Sequence, residues 1–163
     1  MQRIARFERV SEAQFAQDAA AFAPDARYAA VKIPRRATAG SAGYDFCSPV
    51  DFTLAPGEEI TVPTGIRAWM QPGWVLVCCP RSGLGFKFRL QLNNTVGIID
   101  SDYYAAKNEG HILLRITNDS KQGKTLSVAA GEAFCQGIFL PFGVTEDDDA
   151  SAAREGGFGS TGK

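Results

Sequence analysis

The run Leu90-Gln91-Leu92-Asn93-Asn94-Thr95-Val96-Gly97-Ile98-Ile99-Asp100-Ser101-Asp102-Tyr103 carries aliphatic and β-branched residues into an abrupt polar end. Residues 90–99 read as β-structure. Asp100 and Asp102 stand two positions apart, a spacing that puts both on one face of extended backbone. Two like charges so placed repel unless a cation or ordered water offsets them. A carboxylate held there can act as general base for a water. An ordinary Asp-rich turn uses the same residues, so this segment alone leaves both readings open.

Working outward, the same β character fills residues 59–70, 74–79, 111–117 and 133–140. Turn signals separate them: Ala55-Pro56-Gly57, Gln71-Pro72-Gly73, residues 118–123 and Ala130-Gly131. Many short strands so spaced predict an all-β subunit, a distorted jelly roll or β-sandwich. One segment alone predicts helix: Ser11 and Gln14 form a capping-box pair, and Phe15, Ala19 and Phe22 follow at helical spacing until Pro24. That helix is expected to pack on the body or on a neighbouring subunit. The chain thus divides into an N-terminal helical extension (1–27), a β-domain (28–144), and an acidic tether leading to a glycine-rich, flexible C-terminal arm (145–163).

Composition narrows the function. A chain of 163 residues makes one domain, able to bury roughly 70% of its unfolded surface. Lys and Arg number 17 against 18 Asp and Glu, so no basic field points to nucleic acid or an anionic membrane. No apolar run approaches the ~20 residues of a membrane span, and the region after Met1 lacks a signal-peptide core. Cys47, Cys78, Cys79 and Cys135 form no C-x-x-C pair, and the single His111 makes the usual zinc sets hard to assemble. The thiols read as free and buried, which places the protein by default in a reducing cytoplasm.

Further segments set glycine beside polar residues. Ala42-Gly43-Tyr44-Asp45-Phe46 reads either as a tight turn entering a strand or as part of a site. In Pro80-Arg81-Ser82-Gly83-Leu84-Gly85, proline ends a strand, Ser82 offers a hydroxyl, and arginine beside Ser-Gly suits a phosphate. Gly131-Glu132-Ala133-Phe134-Cys135-Gln136-Gly137 presents an amide that can donate to phosphate oxygens. The run Arg154-Glu155-Gly156-Gly157-Phe158-Gly159-Ser160-Thr161-Gly162-Lys163 fits P-loop spacing but lacks the flanking strand and helix. It reads instead as a mobile arm closing over a phosphate held elsewhere. Each signal is weak singly; their order is specific.

In that order the five segments resemble the motifs of the trimeric dUTPase family: AGYDF at 42–46, PRSGLG at 80–85, GIIDSDY at 97–103, GEAFCQ at 131–136 and REGGFGSTG at 154–162. The resemblance spans residues 31–162. It implies a jelly-roll-like subunit, a homotrimer with active sites at subunit interfaces, and hydrolysis of dUTP to dUMP and pyrophosphate with Mg²⁺ held mainly through substrate phosphates and water. It also implies the residue roles. Asp100 is the general base. Tyr103 lies under the deoxyribose and excludes a 2′-hydroxyl. Asn94 matches the uracil-contacting asparagine, alongside main-chain groups of the 94–99 hairpin that includes Gly97 and Ile99, and Phe158 closes over the base. Arg81, Ser82, Gly83, Gln136, Arg154, Ser160 and Thr161 contact phosphates, while Asp45 and Asp102 support. Three departures stand out: one residue fewer between Arg154 and Gly-Phe-Gly, Ala133-Phe134-Cys135 where Arg-Ile-Ala is usual, and residues 104–109 inserted before Gly110. A structural role is expected for that insertion. Rival readings are a dCTP deaminase of the same fold, bifunctional or not, and an inactive nucleotide-sensing regulator.

Overall fold

A computed structural model describes residues 2–151. Strand β1 (Ala5–Arg9) precedes helix α1 (Glu12–Phe22), then come β2 (Arg35–Arg36), β3 (Tyr44–Cys47), β4 (Phe52–Leu54), β5 (Glu59–Pro63), β6 (Ile66–Met70) and β7 (Trp74–Pro80). Helix α2 (Ser82–Phe88), β8 (Leu90–Leu92), β9 (Gly97–Ile99), a 3-10 turn (Ser101–Ala105), β10 (Leu113–Asn118), β11 (Leu126–Val128) and β12 (Ala133–Pro141) follow. The pairings are antiparallel, in sheets ordered β2-β3-β12-β7-β9, β5-β10-β8, β1-β6 and β4-β11. The all-β expectation holds.

Alternation explains the layers. In β7, Leu76 and Cys78 are fully buried while Val75, Val77 and Cys79 face outward; in β3, Phe46 is buried while Asp45 is not. Phe46, Phe134, Ile66, Leu76, Ile112, Ile116 and Leu126 fill the centre. Each such side chain stabilises the fold by about 1.5–3 kcal/mol through transfer from water.

Four sequence expectations change. The 90–99 run is not one strand, because β8 pairs with β10 while β9 pairs with β7. The turn between them, with Thr95 at φ 70°, carries the chain from one sheet to another. Residues 59–70 likewise break at Thr64 and Gly65 into β5 and β6. The segment after Pro80 is a helix rather than a turn, despite two glycines. Buried Phe88 anchors it, and Arg89 closes it in the left-handed region with its N–H on Gly85 and Leu84 carbonyls. Tertiary contact there overrides poor helix propensity.

The fourth change is at the N-terminus. The Ser11 hydroxyl caps the Gln14 N–H at 3.1 Å as expected, but the reciprocal half of the box is replaced. Ser11 N–H and Oγ–H both donate to Glu109 (2.7 and 2.6 Å), and the Gln14 amide turns to Asp18. Strand β1, which no sequence signal marked, pairs with β6 over five residues. Its Phe7 packs edge-on against Phe46 and Tyr44.

Candidate active site

The five-stranded sheet brings three of the glycine-containing segments together. Its register sets Arg35, Asp45, Gln136 and Cys79 side by side on β2, β3, β12 and β7. Cross-strand neighbours share a face. The Asp45 carboxylate accepts the Arg81 guanidinium at 3.3 Å, fixing the residue that precedes α2. The pair is half-exposed, with side-chain exposures of 46% and 27%, so it orients more than it stabilises. Gln136 extends its amide toward the Pro80 carbonyl at 3.4 Å, a weak bond that leaves it able to turn to a ligand.

Gly43 gives the Gln136 amide its place. A Cβ at that position would lie 2.4 Å from Gln136 Oε1, so a larger residue would turn the amide out of its present position. Next to this row, Arg81, Ser82, Gly83, Ser127, Glu132 and Ala133 line a surface hollow. Asp45, Arg81, Ser82, Gly83 and Gln136 therefore gather at one end of β7. Arg35 and Cys79 join them by register alone. No motif marked either residue, and the only hint was an Arg-Arg pair shortly before the first segment. Burial pushes the Cys79 thiol up, partly opposed by its hydrogen bond with Gln136.

The second group lies elsewhere. Asn94 is exposed, Gly97 is buried opposite Cys78, and Ile99 lies opposite Leu76. Asp100 follows at the mouth of the 3-10 turn, its carbonyl accepting the Tyr103 N–H at 3.2 Å. Tyr103 is 8% exposed, and its hydroxyl donates to the His111 carbonyl at 2.8 Å. Asp102 is exposed on the same turn. From Leu76 to Arg81 the chain advances five residues along β7, roughly 16 Å at ~3.3 Å each. Within one chain the carboxylate and the Arg81 cluster thus occupy opposite ends of a strand. Arg154, Phe158, Ser160 and Thr161 lie outside the described residues.

Between the two ends, the outer face of the sheet is apolar. Val77 has Ile138 on one side and Ile98, 54% exposed, on the other; Leu140, 45% exposed, pairs with Val75. All four cysteines are free. Among the described residues no helix is long and apolar enough to cross a membrane.

Known proteins share the fold. The chain is 42% identical to the deoxyuridine 5'-triphosphate nucleotidohydrolase of Lactococcus lactis over 137 residues, covering 82% of this chain and 90% of that one. It is 39% identical to the corresponding Tolumonas auensis protein, covering 80% and 87%. Among solved structures, the Streptococcus mutans dUTPase superposes with a TM-score of 0.67 at 34% identity, covering 86% of this chain and 98% of that one. A dUTPase from Staphylococcus aureus phage phi11, described with a structural Mg(II) ion, shares the fold at 19% identity (TM-score 0.66, covering 92% and 98%). The dUTPase family profile matches residues 29–162, and the chain belongs to the dUTPase family.

Proposed function

We propose that this chain hydrolyses dUTP to dUMP and pyrophosphate, limiting uracil in DNA and supplying dUMP for dTMP synthesis. The observation that carries this reading is the pairing of Asp45 with Gln136 on one sheet row, with Arg81 joined to it through Asp45, in a chain of this family. Arg81, Ser82, Gly83 and Gln136 hold the phosphates, where charge-assisted bonds to arginine are strongest. Asp100 takes a proton from a water that attacks the α-phosphorus; the α–β bridging bond breaks and pyrophosphate departs. Tyr103 lies beneath the deoxyribose, and Asn94, Gly97 and Ile99 read the uracil with backbone groups. Cytosine presents the reverse donor pattern and would leave buried groups unpaired, a heavily penalised mismatch. Arg154, Phe158, Ser160 and Thr161 complete the site from the arm.

The separation of Asp100 from Arg81 along β7 supports a site assembled from more than one copy, and the apolar strip of Val75, Val77, Ile98, Ile138 and Leu140 supports a homotrimer that buries it. Among the described residues no three His, Cys, Asp or Glu side chains gather as a metal cage. Mg²⁺, a hard cation that keeps water and phosphate ligands, suits a site whose protein groups hold the phosphates instead. When bound, it would offset charge on them. Four free thiols support a cytoplasmic location. Neither the deaminase nor the inactive-sensor reading is favoured, since the relatives are named as nucleotidohydrolases.

The test is pyrophosphate release from dUTP, dCTP, dTTP and UTP with Mg²⁺, beside light scattering. Release from dUTP alone by a trimer is expected. Ammonia from dCTP, or tight dUTP binding without turnover, would replace the reading, and an active monomer would remove the shared site.

A further inference from the structure

We propose that the 104–109 insertion and the N-terminal segment form a brace that positions Tyr103, with Asn108 and Glu109 as positioning residues for sugar discrimination. This rests on the dUTP reading above, in which the Tyr103 ring excludes a 2′-hydroxyl.

The brace is a continuous hydrogen-bonded path. On its inner side, Asn108 Nδ2 donates to the Tyr103 hydroxyl at 2.8 Å while that hydroxyl donates to the His111 carbonyl at 2.8 Å. The phenol is thus held as donor and acceptor together, in a position 8% exposed. The insertion closes on itself through Ala106 N–H to Tyr103 O (3.0 Å), Glu109 N–H to Ala106 O (2.8 Å) and His111 N–H to Asn108 O (3.1 Å).

On its outer side the same loop is tied to the N-terminal segment at three points. The Glu109 carboxylate takes both Ser11 donors at the start of α1. Tyr104 donates to Glu8 of β1 at 2.6 Å, with the Arg67 guanidinium over its ring at 4.5 Å and bonded to Glu8 at 2.9 Å. His111 Nδ1 meets Asp18 of α1 at 2.6 Å. A phenol anchored from one side alone could swing with the loop. Anchored through Asn108, and with the loop fixed to β1 and α1, it keeps its ring plane.

The chemistry sets the readout. An added 2′-hydroxyl is rejected by lack of room, and a loosened ring restores room. Rejection of a group by an unyielding wall depends on how rigidly that wall is held. Loss of the Asn108 tie should therefore raise UTP turnover relative to dUTP, whereas a purely structural residue would lower both alike.

The experiment measures kcat/KM for dUTP and UTP in the full chain, for wild type, Asn108→Ala, Glu109→Gln, Tyr103→Phe and the Asn108→Ala/Tyr103→Phe double variant. Phe52→Leu, in the distant β4–β11 pair, serves as the destabilised control. Thermal melting is recorded for each. We expect the dUTP/UTP ratio to fall about tenfold in Asn108→Ala and severalfold in Glu109→Gln, with the ratio unchanged in the control. The double variant should be no worse than Tyr103→Phe, because losing the hydroxyl already removes the Asn108 tie along with the His111 one, and changes that share a partner do not add. Ratios held at the wild-type value in both Asn108→Ala and Glu109→Gln would overturn the brace, as would additive losses in the double variant. Should Asn108→Ala not fold, Glu109→Gln decides alone, since its tie lies at the exposed surface. A wild type inert toward dUTP would sink the dUTP reading itself, and the brace with it, a result distinct from an active enzyme with unmoved ratios.

Discussion

Where β7 runs out at Pro80, the groups that face solvent are charged and lightly held. Arg81 leans on Asp45 across 3.3 Å with nearly half its side chain exposed, and Gln136 has a long bond to the Pro80 carbonyl and another with the Cys79 thiol. Toward its start, β7 lies against the strand leading to Asp100 and Tyr103, where the phenol is buried between two hydrogen-bond partners and backed by a loop tied to α1. Under the proposed function the difference has a use. A phosphate chain brings its own charge and can organise mobile donors around it. A sugar carries none, and telling 2′-H from 2′-OH requires a wall fixed in advance. On that proposal the soft end waits for its ligand, and the rigid end is built before the ligand arrives.

Three experiments press on this contrast. The largest effect belongs to Asp100→Asn, which should cut pyrophosphate release about 10²–10⁴-fold while calorimetry still records dUTP binding. Lost binding instead would move Asp100 from the chemistry to the ligand cradle. Next comes Gly43→Ala at the soft end. Its methyl carbon must displace Gln136 Oε1, 2.4 Å away, so kcat/KM for dUTP should fall about tenfold, equivalent to ~1.4 kcal/mol, with melting little changed. An unchanged kcat/KM would take Gln136 out of phosphate contact.

The smallest effect is one of pH on the rigid end. His111 accepts the Gly65 N–H on Nε2 at 2.8 Å, so its proton sits on Nδ1 against Asp18 and the ring is neutral. Burial, opposed by Asp18 and Glu109, holds its pKa below the ordinary histidine value. A depressed value in the folded state means stability is full above the unfolded pKa of about 6.5 and drains as pH falls through the folded one. The urea midpoint should decline across that window, and a flat profile would show that α1 is held by other contacts.

Legibility followed the range of the forces involved. Strands 74–79 and 133–140 were readable because alternation and turn residues are local, and both appear within a residue or so as β7 and β12. Helix α2 was not, since Ser-Gly-Leu-Gly is a poor helix former and its reason to coil is the burial of Phe88. Likewise, β1 is a strand because β6 offers it an edge. Asp45, Arg81 and Gln136 could be picked out by motif, yet nothing in their spacing puts Arg35 beside Asp45 or Gly43 under Gln136.

What the amino-acid sequence determined by itself was the all-β class, the family and the identity of the motif residues, because these rest on periodicity and on ordered short runs. Tertiary structure alone decided that Asp100 and Arg81 stand at opposite ends of one strand, and that Glu109 caps a helix 98 residues earlier in the chain. Strand register and long-range hydrogen bonds depend on which surfaces meet after collapse. No local pattern encodes that meeting.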